Sequence, residues 1–127
     1  MSVTALHVAA EVLQTFRRIF AEKMEKQDVP PSVVLVFAAV AANEGRSLKE
    51  LQQDTGLGQA VMSRACTMLG RGKQALGEPG LGLLNVEEDP TNYSRKIVTL
   101  TDAGRGLIAE IDEHVGRFLR QRPGKAQ

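Results

Sequence analysis

One cysteine in 127 residues excludes an intrachain disulfide framework and any metal site built from cysteine alone. Tryptophan is absent and tyrosine occurs once, so the core has to be packed from Leu, Val, Ile, Ala, Met and a few Phe. No apolar run approaches the roughly 20 residues needed to cross a bilayer. The amino terminus lacks the basic-then-apolar order of a secretory signal. These absences point to a cytoplasmic address with no membrane partner. An excess of one charge sign is missing too: 16 Lys and Arg stand against 15 Asp and Glu, for a net charge of +1. A general attraction to polyanions is therefore weak, but a local one is not excluded. Residues 58–73 carry Arg64, Arg71 and Lys73 and no acid, while acids gather at Glu87-Glu88-Asp89.

Catalytic parts are lacking as well. No glycine-rich phosphate loop follows a strand, and Gly70-Arg71-Gly72-Lys73 has neither the spacing nor the following Ser or Thr. No nucleophile stands at motif distance from a base. His7 and His114 lie on opposite ends of the chain without acid or thiol partners nearby, which makes a poor metal set. The sequence reads as a non-enzyme with no catalytic residue, no metal ligand and no cofactor.

What is present is order. At 43% apolar and 24% charged, the chain has the profile of one soluble domain over 1–127. Residues 4–26 read as a long helix with Leu6, Leu13 and Phe20 at seven-residue spacing and Phe16 and Ile19 beside them. Val29-Pro30-Pro31 ends it, and proline suits the first turn of the next helix. Residues 31–43 run almost wholly apolar, the pattern of a helix buried on all sides. Asn43-Glu44-Gly45 is a turn. Ser47-Leu48-Lys49-Glu50 is a capping box opening a short helix. Gly56 falls where a tight inter-helix turn needs a residue tolerant of positive φ. Gly58 or Gln59 then opens a second helix, with Met62, Ala65, Cys66 and Leu69 on one apolar face. Gly70 to Gly80 has no period and reads as a loop. Residues 82–87 and 95–100 read as strands joined through Asp89-Pro90-Thr91-Asn92, with turn chemistry and a solvated acidic end. Thr101 is a helix N-cap. Residues 102–121 form a last helix with Leu107, Ile108, Ile111, Val115, Phe118 and Leu119 on one face. Arg117, Arg120 and Arg122 near its end suit the helix dipole. Residues 122–127 are a tail.

Helix, tight turn, helix, strand, turn, strand, helix is the order of a winged helix-turn-helix, whose second helix is shaped to enter a DNA major groove. The fold class is mainly α with a small β-hairpin. The DNA-binding lobe spans 45–101, and the terminal helices, 1–28 and 102–121, carry surplus apolar surface suited to dimerisation.

These residues resemble the MarR-type (multiple-antibiotic-resistance regulator) winged-helix family over nearly the whole chain. The most specific stretch runs from Gly82 to Gly104, with Asp89-Pro90 before the wing and Leu100-Thr101-Asp102-Ala103-Gly104 at the last helix. Leu51, Thr55-Gly56-Leu57 and Met62-Ser63-Arg64 add to it. The resemblance implies a two-fold homodimer on double-stranded DNA, one recognition helix per half-site, commonly a repressor. Family members often bind small acids or phenols, which implies a possible small-molecule ligand. The chain departs from the pattern in three places. The usual wing-tip aspartate-arginine pair is matched by Asn92 and Tyr93-Ser94. Gln52 replaces a small residue, and the segment after the recognition helix is long. Phage- and plasmid-like members look similar here.

The expected DNA face follows from side-chain chemistry. Arg64 suits guanine O6 and N7, Gln59 suits adenine, and Ala60 suits a thymine methyl. Ser63 and Thr67 suit phosphate or mixed contacts, and Arg71 and Lys73 suit backbone phosphates. Arg95 and Lys96 are the wing cations. Cys66 lies on the inward face, where packing outweighs redox chemistry. The leading function is a sequence-specific DNA-binding transcriptional regulator, a dimeric repressor. The alternatives are a winged-helix protein-interaction module without specific DNA binding and a replication or partition DNA-binding protein.

Overall fold

A computed structural model describes residues 3–25 and 28–121. The expected tail 122–127, with Arg122, lies outside the described residues, as do residues 1, 2, 26 and 27 of the expected terminal segment 1–28. Helix α1 spans Thr4–Met24 and stops at Glu25, which turns left-handed at φ 53° and sends its N–H back to the Phe20 carbonyl. Helix α2, Pro31–Ala42, opens on a proline at its first position, where no amide hydrogen is needed.

Helix α2 corrects one expectation. It buries Val33, Val36, Phe37 and Val40, but Leu35, Ala38, Ala41 and Ala42 face out. Its composition alone suggested burial on every side; in the single chain only one face finds partners.

A two-residue strand β1, Arg46–Ser47, leads directly into helix α3, Leu48–Thr55. The expected capping box is formed: the Ser47 hydroxyl accepts from the Glu50 N–H at 3.0 Å, and the Glu50 carboxylate accepts from the Ser47 N–H at 2.9 Å. Gly56 closes α3 at φ 74°. Helix α4, Gln59–Leu69, follows after two residues.

The segment expected to be a loop from Gly70 to Gly80 is built. It contains strands β2, Gly72–Lys73, and β3, Glu78–Pro79, around a 3₁₀ turn at Gln74–Leu76. The two strands pair antiparallel. Backbone bonds from Leu81 N to Met68 O and from Leu83 N to Leu69 O fasten the return strand to the end of α4.

Strands β4, Leu84–Asp89, and β5, Asn92–Leu100, form the expected hairpin, longer toward its tip than its alternation showed. The three-stranded sheet has the order β1-β5-β4. Strand β1 covers only Ile97 and Val98 of β5, so the ribbon beyond them projects as two strands. Helix α5, Asp102–Gln121, begins at the expected cap: the Gly104 N–H donates to the Thr101 hydroxyl at 3.0 Å. Gly104 is dictated by packing, because a Cβ there would stand 2.3 Å from the Leu83 carbonyl oxygen.

The core gathers Phe16 and Phe20 of α1, the inward face of α2, Leu51, Met62 and Leu69 of the helix pair, and Leu81, Leu84 and Val98 of the sheet side. Phe16 and Phe37 meet edge to face at 5.6 Å between centroids. Every buried side-chain polar atom among the described residues has a hydrogen-bond partner.

Candidate nucleic-acid interface

The four-residue spacing on α4 sets everything else at this surface. Met62, Ala65, Cys66 and Leu69 are buried against α2 and α3. The helical period then turns Gln59, Ala60, Ser63 and Arg64 outward, all exposed, with Thr67 half-buried. Six of the nine expected DNA contacts therefore reach solvent on or just past one helix: Gln59, Ala60, Ser63, Arg64, Arg71 and Lys73. Arg64, Arg71 and Lys73 form no ion pair among the described residues. None is drawn into a close carboxylate contact, the state suited to meeting phosphates, although Glu78 stands across the β2–β3 pair from Lys73.

Two of the hollows along this helix flank its outward face. On one side a cleft of about 700 Å³ opens between the start of α3, the outward face of α4 and the wing strand, with Lys49, Gln52, Gln59, Ser63, Asn92 and Lys96 among its walls. On the other side a hollow of about 450 Å³ separates Arg64, Thr67 and Met68 from Lys73, Glu78 and Pro79 of the β2–β3 hairpin. Helix α4 is thus bracketed by two hairpins. Only the first was legible in the sequence.

The wing differs from its expected form. The turn itself is Pro90-Thr91, and Asn92, Tyr93 and Ser94 already belong to β5. Asn92 and Ser94 bond to one another, the Ser94 hydroxyl donating to the Asn92 side-chain oxygen at 2.7 Å. Tyr93 projects at 71% exposure, which leaves the wing's most exposed ring free for a partner. Lys96 stands 3.9 Å from Glu88.

The acidic strand end was expected to be solvated, and Asp89 corrects that. It accepts from the Thr91 N–H at 2.9 Å, from the Thr91 hydroxyl at 2.8 Å and from Arg95 at 2.6 Å. These donors, the Thr91 amide foremost, hold its carboxyl below the usual range. The other end of the Arg95 guanidinium donates to Glu50 at 3.0 Å. Arg95, expected as a DNA-contacting wing cation, is shared between two carboxylates. Glu50 in turn lies 3.4 Å from Arg46, and Arg46 clasps Asp54 through Nε at 3.0 Å and Nη2 at 2.8 Å. Sequence reasoning missed this chain of charges. Glu50 was visible only as half of a capping box, and its second partner lies 45 positions away.

Cys66 sits where packing placed it, with its sulfur 3.8 Å from the Met62 sulfur. On the terminal helices His7 stacks edge-on against Phe118 at 5.8 Å, and Arg18 pairs with Glu110. Val3, just before α1, and Leu6 and Leu13 on it remain exposed at 52%, 69% and 43%. No helix among the described residues is long and apolar enough to cross a membrane.

No protein-family model matches the chain, and no curated protein matches it by sequence. Solved structures do share its fold. The PcaV transcriptional regulator from Streptomyces coelicolor superposes with a TM-score of 0.57 at 20% identity, over 90% of this chain and 76% of that one. The Bordetella bronchiseptica regulator BpsR, whose DNA binding is regulated by 6-hydroxynicotinic acid, gives 0.54 at 23% identity over 94% and 79%. A mutant MarR from E. coli in complex with operator DNA gives 0.56 at 17% identity over 91% and 76%. At these identities the likeness shows the fold, a mainly helical winged helix-turn-helix with a small β-hairpin.

Proposed function

We propose that the chain is a sequence-specific double-stranded DNA-binding transcriptional regulator, a cytoplasmic homodimeric repressor and not an enzyme, working as one winged-helix unit. The observation that carries this is the outward face of α4. Gln59, Ala60, Ser63 and Arg64 are exposed together, and the cations Arg64, Arg71 and Lys73 have no carboxylate partner among the described residues. Arg64 reads guanine, Gln59 adenine and Ala60 a thymine methyl, while Ser63 and Thr67 make phosphate or mixed contacts. Arg71, Lys73 and, from the wing side, Lys96 contact phosphates. The solved structures of similar fold support the reading, since among them are AbfR bound to DNA and the E. coli MarR mutant with its operator. A phage- or plasmid-like origin rests only on the altered wing and the long segment after α4.

The test begins with duplexes selected from a random pool by the protein. Arg64→Ala should weaken binding to the selected site by about 1–3 kcal/mol, roughly 5- to 150-fold, and flatten the preference over random DNA. Its fold should be intact, because the side chain points away from the Met62 and Leu69 face. Unchanged affinity in this variant would overturn the assignment of α4 as the reading helix.

A specific observation feeds the protein-interaction alternative: net charge is +1, and both expected wing cations, Arg95 and Lys96, already face carboxylates. Heparin chromatography separates the readings. A phosphate binder elutes late and salt-dependently, through counterion release, and a near-neutral interaction module passes through.

A further inference from the structure

We propose that Arg95 is a positioning residue, bridging the wing turn to the first helix of the helix-turn-helix and so fixing where the wing stands beside the recognition helix. Its two terminal nitrogens are engaged on different elements. One donates to Asp89, the last residue of β4 before the wing turn, at 2.6 Å, the other to Glu50 of α3 at 3.0 Å. Each carboxylate is pre-placed by its own backbone. The Thr91 N–H holds Asp89 at 2.9 Å, and the Ser47 N–H holds Glu50 at 2.9 Å as part of the α3 cap. The guanidinium therefore meets two acceptors that are already oriented, the arrangement for which a planar fork is suited and a point charge is not.

The mechanical need is visible in the sheet. Strand β1 supports β5 only at Ile97 and Val98, and a register shift falls between Glu88 and Asp89. The distal ribbon projects as two strands beyond the body of the sheet, and a lone two-stranded ribbon is marginally stable. Lys96 pairs back within the ribbon, to Glu88. Arg95 instead crosses to α3, and from there the alternation continues through Glu50 and Arg46 to Asp54. The sequence of charges Asp89, Arg95, Glu50, Arg46, Asp54 ties the wing turn to both ends of α3. Around Arg95 the two carboxylates leave the group net negative, so it offers no free positive charge to a phosphate.

The experiment uses Arg95→Ala, Arg95→Lys and Lys96→Ala, read first without DNA. Amide hydrogen exchange over residues 87–96 should quicken about tenfold in both Arg95 variants, with α2 unchanged, because the local opening of the ribbon becomes easier. Lysine should not rescue, since one ammonium replaces a two-ended fork. The second arm rests on the proposed DNA binding. There both Arg95 variants should lower affinity for selected and random duplexes by about tenfold with the salt slope retained, while Lys96→Ala should reduce that slope by about one. Wild-type exchange in both Arg95 variants overturns the bridge. So does full rescue of binding by Arg95→Lys, the behaviour of a plain phosphate contact. If the wild-type protein retains no duplex, the DNA-binding reading falls, and the exchange arm still decides the bridge.

Discussion

Burial pushes the Cys66 thiol up to about 11, from an ordinary value of 9.0, by withholding water from the thiolate. No cation works against that burial in setting it, as thiolate chemistry would need. The folded protein thus holds this proton more tightly than the unfolded chain does. The associated stability is complete below pH 9 and is lost as pH rises toward 11. At pH 8, iodoacetamide should modify the native protein far more slowly than the chain in denaturant. Rapid native modification would show that α4 opens, and would restore a redox reading for that helix. The same residue illustrates what a helical period settles without a structure. Cys66 stands four positions after Met62 and three before Leu69, so its inward face follows from spacing alone.

The β2–β3 hairpin is an element whose cause is steric. A Cβ on Gly80 would sit 2.1 Å from the Gly70 carbonyl oxygen, and one on Gly72 would sit 2.4 Å from backbone of Glu78, Pro79 and Gly80. The two chain segments cross where only glycine fits. Gly80→Ala should therefore cost about 1–3 kcal/mol of stability, in the range of overpacking. It should also free the flank of Arg64 and Thr67. Urea unfolding checks the first part, and a variant within 0.5 kcal/mol of wild type would mean the crossing relaxes easily. Hairpins of this kind are poorly legible in sequence. Gly72 and Gly80 look like loop punctuation, and the contacts that explain them join residues six to ten apart. The α3 cap was legible for the opposite reason, since Ser47 and Glu50 lie one helical turn apart. The wing hairpin stood between: Asp89 to Asn92 announced a turn, but nothing local could show that Arg95 would reach Glu50. Helix α2 misled because its run of Val and Ala satisfies the pattern of a fully buried helix, whereas one chain supplies cover for a single face.

At the scale of the whole molecule, uncovered apolar surface is the feature that a lone chain leaves unexplained. Val3, just before α1, and Leu6 and Leu13 along it lie exposed. Val115, Phe118 and Leu119 of α5 are only half-buried, with Phe118 resting its ring edge-on against His7. The two helices run alongside one another, with Phe118 against His7 and Glu110 against Arg18. A second copy related by a two-fold axis would cover both sets at once, each residue counting twice. The same axis would present two α4 helices to successive major grooves, about 34 Å apart. Sedimentation at micromolar concentration should therefore give about twice the 13.8 kDa of one chain. Leu6→Glu should shift the protein toward monomer, because Leu6 is 69% exposed and contributes little to the fold of its own chain. Circular dichroism should show the helices retained in that variant. Affinity for a two-half-site duplex should fall by far more than affinity for a single half-site, because linkage of the two contacts is what the dimer adds. Wild-type protein that sediments as a monomer while binding both duplexes equally would remove the two-fold assembly, and with it the expectation of one helix in each of two half-sites.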